Sequence, residues 1–186
     1  MAKNLAHIAE RKAFGMALNS LIEKGRKGDF AAEALALIDK IEKILGSSWQ
    51  SSSYEMLRNI AHSPDSKWAR YANRIVKEVD PHILKTFLLN AGYEAGFRGY
   101  KTSLEMEEKY GCNIPWIILM DPTTACNMHC TGCWAAEYGN KLNLSYEVMD
   151  KVITQGKELG IYAYLFTGGE PLVRKDDIIR LCEKHK

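Results

Sequence analysis

Two short apolar runs constrain the fold of this chain more than any other feature of its sequence. The first run is IPWIILMDPT and the second is YAYLFT. A short, continuous apolar run, closed by Asp121 and Pro122 in the first case, is typical of a strand that is buried on both faces. We therefore predict strands over residues 114–121 and 162–167.

Each predicted strand is followed by a loop and then by a segment with the period of an amphipathic helix. Ser145 lies where the N-cap of the first helix is expected, and Gly160 lies where that helix ends. Asp176 and Asp177 fall in the first turn of the second helix, where the helix dipole favours negative charge. This order of elements predicts a right-handed parallel βα unit, the building block of α/β sheets and barrels.

The first 110 residues carry a different pattern, in which apolar residues recur at intervals of three and four. Leu18, Leu21 and Ile22 form one such group, and this period is that of amphipathic helices. We predict a helical module over residues 1–110 and an α/β unit over residues 111–186. Within the module, the glycines of NAGYEAGFRGYK indicate close packing between helices.

Composition and charge exclude several classes of protein. Apolar residues make up 46% of the 186 residues and charged residues 26%, which is the balance of a globular chain rather than a disordered one. The net charge is only +2, and no basic stripe indicates nucleic acid as a partner. We expect no signal peptide, because charged residues stand near the start where its apolar run would lie, and no membrane span, because no apolar run approaches the required length. We expect a protein of the reducing cytoplasm.

Three of the five cysteines crowd into the loop after the first predicted strand. Cys126, Cys130 and Cys133 stand at CxxxCxxC spacing in the stretch CNMHCTGC. In a chain without a secretion signal, such a cluster indicates a metal site rather than a disulfide framework. Three thiolates can hold three irons of a cubane iron–sulfur cluster and leave the fourth iron open, as a catalytic metal site requires.

The residues alone leave other roles open for the cysteines. The three thiolates could bind zinc with Cys112 or His129 as the fourth ligand, although the second knuckle of most zinc modules is missing. Cys112 could also ligate an auxiliary cluster, but it has no companion cysteines, and a structural role is the simpler interpretation. Cys182 lies beside Ile178 and Leu181 in the last helix and is expected to be a small core residue.

The loop after the second predicted strand has the sequence GGEP. Gly168 and Gly169 allow a close backbone approach and unusual dihedral angles, and Glu170 adds an anionic acceptor for an ammonium group. Both loops follow the carboxyl ends of adjacent strands, where α/β folds place their active sites. We therefore expect the cysteine loop and the GGEP loop to act together on one ligand.

These two motifs together resemble the radical S-adenosylmethionine (radical SAM) superfamily. The wider stretch DPTTACNMHCTGCWAAEYG is similar to its branch that modifies peptides and matures cofactors. The resemblance covers residues 114–186 and implies that the three loop cysteines ligate a [4Fe-4S] cluster. It further implies that Gly168, Gly169 and Glu170, with Pro171 beside them, bind S-adenosylmethionine by its amino group. Reductive cleavage of that cofactor would give a 5′-deoxyadenosyl radical, which abstracts hydrogen from a substrate.

The resemblance also implies a fold, an electron donor and a substrate class. The fold class is α/β: a helical module followed by the first two βα units of a partial (β/α)6 TIM-like barrel. Many members have an aromatic residue just before the third cysteine, where this chain has Gly132, so Trp134 is expected to contribute to the adenine pocket. The expected reductant is a flavodoxin or ferredoxin, and the expected substrate is of unknown identity, with peptides suggested by the branch.

Two interpretations of the whole chain follow from the missing barrel units. In the first, the 186 residues are the front portion of a longer radical SAM enzyme, or a broken copy of one, and are inactive alone. In the second, the chain is a non-catalytic helical interaction module with a partial metal-binding tail left by truncation. Neither interpretation includes a nucleic acid or a membrane as a partner.

Overall fold

The computed structural model of the chain describes residues 5–28, 30–45, 51–135, 139 and 141–185. The chain divides into two compact units, Met1–Phe97 and Arg98–Lys186, and the division falls before the helix that ends at Tyr110 rather than after it. The chain is a mixed α/β structure, mostly helical, with one two-stranded parallel sheet in the residues described. None of the described helices combines the length and the apolar character that crossing a membrane requires.

The first unit, which we call the helical unit, consists of helices and the turns between them wherever it is described. Its helices are α1 (Leu5–Lys27), α2 (Phe30–Leu45), α3 (Ser51–Ala61), α4 (Lys67–Glu78) and α5 (Pro81–Phe87), and a π-helix, Leu88–Gly99, follows. Ser66 and Asp80 cap α4 and α5, because their side chains accept hydrogen bonds from first-turn N–H groups. Ile22, Val76 and Leu84 form the core between α1, α4 and α5.

The glycine-rich segment that we predicted to pack closely lies in the π-helix. At Gly92 the prediction is wrong, since a Cβ there would meet no atom within 4 Å. The π-helix contacts α1 through other residues: the Tyr93 hydroxyl donates to Glu10 Oε2 at 2.9 Å, and Glu94 Oε1 accepts from Arg11 Nη1 at 2.6 Å. The wider turn of a π-helix changes which side chains share a face, and sequence periodicity did not reveal it.

The second unit, which we call the α/β unit, contains the parallel sheet. Its elements are α6 (Tyr100–Tyr110), β1 (Ile117–Thr123), α7 (Tyr146–Glu158), β2 (Ala163–Gly168), a 3₁₀ helix (Pro171–Arg174) and α8 (Lys175–Lys184). The two predicted strands are confirmed, with bounds that differ by one to three residues. Ser145 caps α7 as predicted, because its Oγ accepts from Val148 N–H at 3.3 Å. The two predicted βα units are present, and the barrel beyond them stays a prediction.

One face of the sheet is buried and the other is exposed in the described residues. Met120 packs with Met149 of α7 and Leu181 of α8, and each of these side chains is at most 6% exposed. On the opposite face Leu119 pairs with Leu165, and these residues are 56% and 50% exposed. The prediction of strands buried on both faces is therefore wrong here, because α7 and α8 both pack against the same face.

The orientation of α8 also corrects the prediction for Cys182. Leu181 is 1% exposed, and Cys182 beside it is exposed to solvent. Successive residues of an α-helix point about 100° apart, since 3.6 residues make one turn. The helix therefore turns Leu181 into the core and Cys182 away from it.

A β-bulge interrupts β1 near its carboxyl end. Met120 pairs with Phe166 and Thr123 pairs with Gly168, so β1 has one more residue than β2 between these pairs. The bulge contains Pro122, which lacks an N–H and is tolerated at such an irregularity. Since the cysteine loop leaves the sheet directly after Thr123, the bulge helps to set the direction of that loop.

Candidate functional site

The cysteine loop and the GGEP loop meet at the carboxyl edge of the sheet. Gly169 N–H donates to Thr123 O at 3.0 Å, and Glu170 N–H donates to Ala125 O at 2.9 Å. Ala125 N–H in turn donates to Thr123 Oγ1 at 3.0 Å. The structure therefore brings the two predicted loops together, and it does so through backbone groups.

Gly168 and Gly169 make this close approach possible. Gly168 has a φ of +99°, a backbone conformation that glycine adopts without strain. A Cβ on Gly168 would lie 2.8 Å from Asp121 Cβ, and a Cβ on Gly169 would lie 2.4 Å from Ala125 O. Real Cβ atoms almost never come closer than 3.0 Å to another heavy atom. A larger residue at either position would force the two loops apart.

Glu170 has a structural task within its own loop. Its Oε1 accepts from Leu172 N–H at 3.0 Å and caps the 3₁₀ helix that begins at Pro171. Proline suits this first position because its fixed φ matches a helix and its missing N–H would have no partner there. A carboxylate offers about four acceptor positions. The cap therefore leaves Glu170 able to accept a hydrogen bond from a ligand as well.

An arginine that the sequence analysis missed holds the backbone beneath these loops. Arg174 Nη1 donates to Leu144 O at 2.7 Å and to Pro122 O at 3.4 Å. Arg174 Nε donates to Asp177 Oδ2 at 2.8 Å, which orients the guanidinium group. The spacing of Arg174 and Asp177 was visible in the sequence, but the backbone acceptors lie far away along the chain and gave no signal.

The three loop cysteines are free thiols at the surface of this edge. Cys126 is half-buried, whereas Cys130 and Cys133 are exposed. Cys126 Sγ accepts from Met128 N–H at 3.4 Å, and Cys133 N–H donates to Cys130 O at 3.2 Å. Across the described part of the chain, no three His, Cys, Asp or Glu side chains converge on one position for a single metal ion.

The residues around the third cysteine show why glycine precedes it. Gly132 has a φ of +72°, which glycine adopts without strain. Glycine, where many radical SAM proteins have an aromatic residue, therefore suits the turn between Cys130 and Cys133. Trp134 is 60% exposed, and its contribution to an adenine pocket stays a prediction. Residues 136–138, the end of the stretch that carries the resemblance, lie outside the described residues.

The alternative ligands and the auxiliary site can also be located. Cys112 and His129 are both exposed, and the described residues bring neither of them into a three-ligand group. Cys112 lies between α6 and β1 in the chain. The zinc alternative and the auxiliary cluster at Cys112 therefore gain no support from the geometry.

The groups at this edge fit an iron–sulfur cluster and a cofactor with a cationic amino-acid end. Thiolates are the protein ligands of such clusters, and the three loop cysteines are available for that role. Gly168 and Gly169 leave space that a Cβ would fill. Beside Gly168, Asp121 Oδ1 is buried without a hydrogen-bond partner, as an acceptor for a positively charged group would be.

Comparison with known proteins shows which class of protein this edge is similar to. Residues 120–186 match the family model of the Radical SAM superfamily, and that range includes both loops. The predicted resemblance to this superfamily is thereby confirmed for the α/β unit from residue 120 onwards. Members of the superfamily typically bind a [4Fe-4S] cluster and S-adenosylmethionine. The likeness to the peptide-modifying branch stays a prediction.

Individual relatives are similar to part of the chain. An uncharacterized protein of Archaeoglobus fulgidus is 37% identical over 68 residues, which are 34% of this chain and 16% of the relative. The GTP 3′,8-cyclase of Geobacter sulfurreducens is 37% identical over 76 residues (39% of this chain and 23% of the relative). The GTP 3′,8-cyclase of Petrotoga mobilis is 34% identical over 85 residues (44% and 26%). The chain thus spans about a quarter or less of these relatives, and no solved structure matches it significantly.

Proposed function

We propose that this chain supplies the cluster-binding edge of a radical SAM enzyme. Cys126, Cys130 and Cys133 hold a [4Fe-4S] cluster, and the GGEP loop binds the amino group of S-adenosylmethionine. The observation that carries this proposal is the pair of hydrogen bonds from Gly169 and Glu170 to the backbone of the cysteine loop. Because these bonds hold the two loops side by side, one cofactor can contact both.

The chain's own part in the reaction is to bind and to position. When bound, the cluster and the cofactor supply one-electron cleavage of a carbon–sulfur bond, with the electron from a flavodoxin or ferredoxin, and hydrogen abstraction from the substrate. Three thiolates leave one iron without a protein ligand. Glu170 accepts a charge-assisted hydrogen bond from the ammonium group, and Trp134 contacts the adenine through its ring.

The exposed face of the sheet supports a barrel beyond these two units. In a barrel of alternating strands and helices, the helices cover the outside and the other face of the strands points inward. α7 and α8 cover one face of β1 and β2, and Leu119 and Leu165 lie on the uncovered face. Further strands, for which the greater length of the relatives leaves room, would bury this face and complete the cofactor pocket. We propose that the 186 residues alone are inactive for this reason.

The proposal extends to a substrate class. We propose a peptide, because DPTTACNMHCTGCWAAEYG resembles the peptide-modifying branch. GTP is the competing candidate, because two relatives are named GTP 3′,8-cyclases. The proposed compartment is the cytoplasm, where reducing conditions keep thiols free for a cluster.

Anaerobic reconstitution with iron and sulfide tests the cluster, using the longest polypeptide that the reading frame encodes. The protein should become brown and take up about four irons and four sulfides, as a cubane site requires. Replacing Cys126, Cys130 or Cys133 by Ala should abolish this uptake. The matched controls Cys112→Ala and Cys182→Ala remove exposed thiols elsewhere in the α/β unit and should retain it.

Two results would contradict the proposal in different ways. A colourless protein that binds zinc would favour a metal-binding tail on a helical interaction module. Loss of the cluster in Cys112→Ala, as complete as the loss in Cys126→Ala, would show that a fourth thiolate closes the site.

A further inference from the structure

Asp121 carries a carboxylate that the described fold does not use. It lies in the bulge of β1, and its Oδ1 is buried without a hydrogen-bond partner. Burying a carboxylate oxygen without a partner is unfavourable. Such an atom in a folded protein therefore calls for a partner from outside the chain, such as a water molecule or a ligand group.

Two other acidic residues near this edge have partners within the chain. Asp177 accepts from the Arg174 guanidinium group, and Glu170 accepts from the Leu172 N–H. Asp121 Oδ1 differs in being both buried and unpaired.

The position of Asp121 indicates where its partner would come from. A Cβ on Gly168 would lie 2.8 Å from Asp121 Cβ and 3.0 Å from its Cγ. Gly168 is the first residue of the GGEP loop and pairs with Thr123 across the sheet. The carboxylate thus lies against the loop to which we assign the ammonium group, and only a glycine there leaves it room.

We propose that Asp121 is a further ligand of the cofactor and accepts a hydrogen bond from the ammonium group of S-adenosylmethionine. This inference rests on the proposed function of the two loops. An ammonium group has three N–H donors, and part of the acceptor capacity of Glu170 is taken by the 3₁₀ cap. A second carboxylate supplies another acceptor, and the ammonium charge in turn compensates the buried carboxylate.

Asp121→Asn tests this role, because asparagine has nearly the same shape without the charge. Titration calorimetry on the iron-loaded protein, without oxygen, compares S-adenosylmethionine with 5′-methylthioadenosine, which lacks the amino-acid end. We expect the Kd for S-adenosylmethionine to rise about tenfold or more. The Kd for 5′-methylthioadenosine should not change. Asp176→Asn removes an exposed carboxylate on α8 and is the matched control, with no change for either compound.

Urea unfolding of the cluster-free protein is a second measurement. If Asp121 served only to stabilise the fold, its replacement would lower the unfolding midpoint. Asp121→Asn removes a charged carboxylate whose Oδ1 is buried without a partner, so its unfolding midpoint should equal or exceed that of the unchanged protein. A lower midpoint would show that the carboxylate stabilises the fold and would overturn the inference. Unchanged affinity for S-adenosylmethionine, or an equal loss of affinity for both compounds, would also overturn it.

Iron content separates this inference from the proposed function. If the unchanged protein takes up no iron, the proposed function fails and the assignment of Asp121 fails with it. If Asp121→Asn is fully loaded with iron and binds S-adenosylmethionine as tightly as the unchanged protein, only the assignment of Asp121 fails. If Asp121→Asn has normal iron content and loses affinity tenfold for S-adenosylmethionine only, the result supports both the proposed function and the assignment of Asp121.

Discussion

The helical unit and the α/β unit use their buried polar groups differently. In the helical unit, Glu94 and Tyr93 are tied to α1 by hydrogen bonds of 2.6 and 2.9 Å. In that unit Asn73 Oδ1 is also buried without a partner, but an amide is neutral and is less costly to bury than a charge. The α/β unit buries an unpartnered carboxylate oxygen, that of Asp121, beside a loop with free thiols. A ligand is thus indicated where the fold buries a carboxylate oxygen without a partner, rather than where polar residues are most numerous.

Glycines in the two units give the largest expected contrast. A Cβ on Gly169 would lie 2.4 Å from Ala125 O, whereas a Cβ on Gly92 would meet no atom within 4 Å. Gly169→Ala should therefore destabilise the α/β unit by about 3 kcal/mol, in the upper range for overpacking. Gly92→Ala should stabilise the helical unit by about 0.5 kcal/mol, because alanine favours a helical backbone. Urea unfolding monitored by residue-resolved hydrogen exchange measures both changes.

Cluster content extends this comparison from stability to function. Gly169→Ala should also lower the iron content after reconstitution, because the GGEP loop can no longer rest on the cysteine loop. Gly92→Ala should leave iron content unchanged. If Gly169→Ala were as stable as the unchanged protein, the contact between the loops would not be as close as the structure indicates.

Features that depend on neighbouring residues in the chain could be predicted. The strands followed from continuous apolar runs, and the start of α7 followed from Ser145, whose cap is formed with Val148 only three residues away. The meeting of the two loops also followed, because the carboxyl ends of adjacent parallel strands lie at one edge. The sequence did not predict the backbone hydrogen bonds that join the loops at Gly169 and Glu170.

Features that depend on distant partners could not be predicted. The exposure of Leu119 and Leu165 depends on which elements cover the sheet, and an apolar run carries no information about that. Arg174 holds Leu144 O and Pro122 O, which its own surroundings in the sequence do not reveal. The unpartnered state of Asp121 Oδ1 is a property of the folded edge alone. Candidate ligand residues of this kind require the structure.

Buried tyrosines in the two units should give an effect on stability of intermediate size. Burial raises the pKa of Tyr54 in the helical unit, and it raises the pKa of Tyr164 in the α/β unit to about 12. The Tyr164 hydroxyl donates to Ile161 O at 2.8 Å and to Ile153 O at 3.1 Å. In the unfolded chain the Tyr164 hydroxyl ionises near pH 10. Its contribution to the free energy of unfolding is therefore fully present below pH 10 and is lost as the pH rises through about 12.

At neutral pH, Tyr164→Phe should therefore be less stable than the unchanged protein. As the pH rises, the free energy of unfolding should fall less for Tyr164→Phe than for the unchanged protein. The neutral loss should be about 1 kcal/mol, the contribution of a hydrogen bond. Between pH 8 and pH 12 this difference should change by about 1–2 kcal/mol in favour of Tyr164→Phe, so that it closes or reverses. Urea unfolding across this range measures the gap, and Tyr110→Phe, at an exposed tyrosine of the same unit, is the control. Parallel pH profiles for Tyr164→Phe and the unchanged protein would contradict the assigned cause.

Ion pairs at the surfaces of the two units give the smallest expected contrast. Asp150 lies 2.6 Å from Lys184 Nζ and 2.9 Å from His185 Nε2, and its side chain is 19% exposed. The hydrogen bond from Lys184, with a further one from His185, lowers the pKa of Asp150 below its ordinary value, although burial opposes the shift. The pair of Glu78 and Arg74 on α4 is much more exposed.

A lowered pKa in the folded state means that Asp150 stabilises the protein above its ordinary pKa near 3.8, and that this contribution is lost as the pH falls through the lowered value. Asp150→Asn should thus lose about 0.5–1 kcal/mol at pH 7, the upper range for such pairs, and less near pH 2. Glu78→Gln should change stability too little to measure at either pH, because water screens that pair. Urea unfolding at both pH values tests the contrast. An equal loss for Asp150→Asn at pH 2 and pH 7 would mean that packing of the side chain, and not its charge, stabilises the α/β unit there.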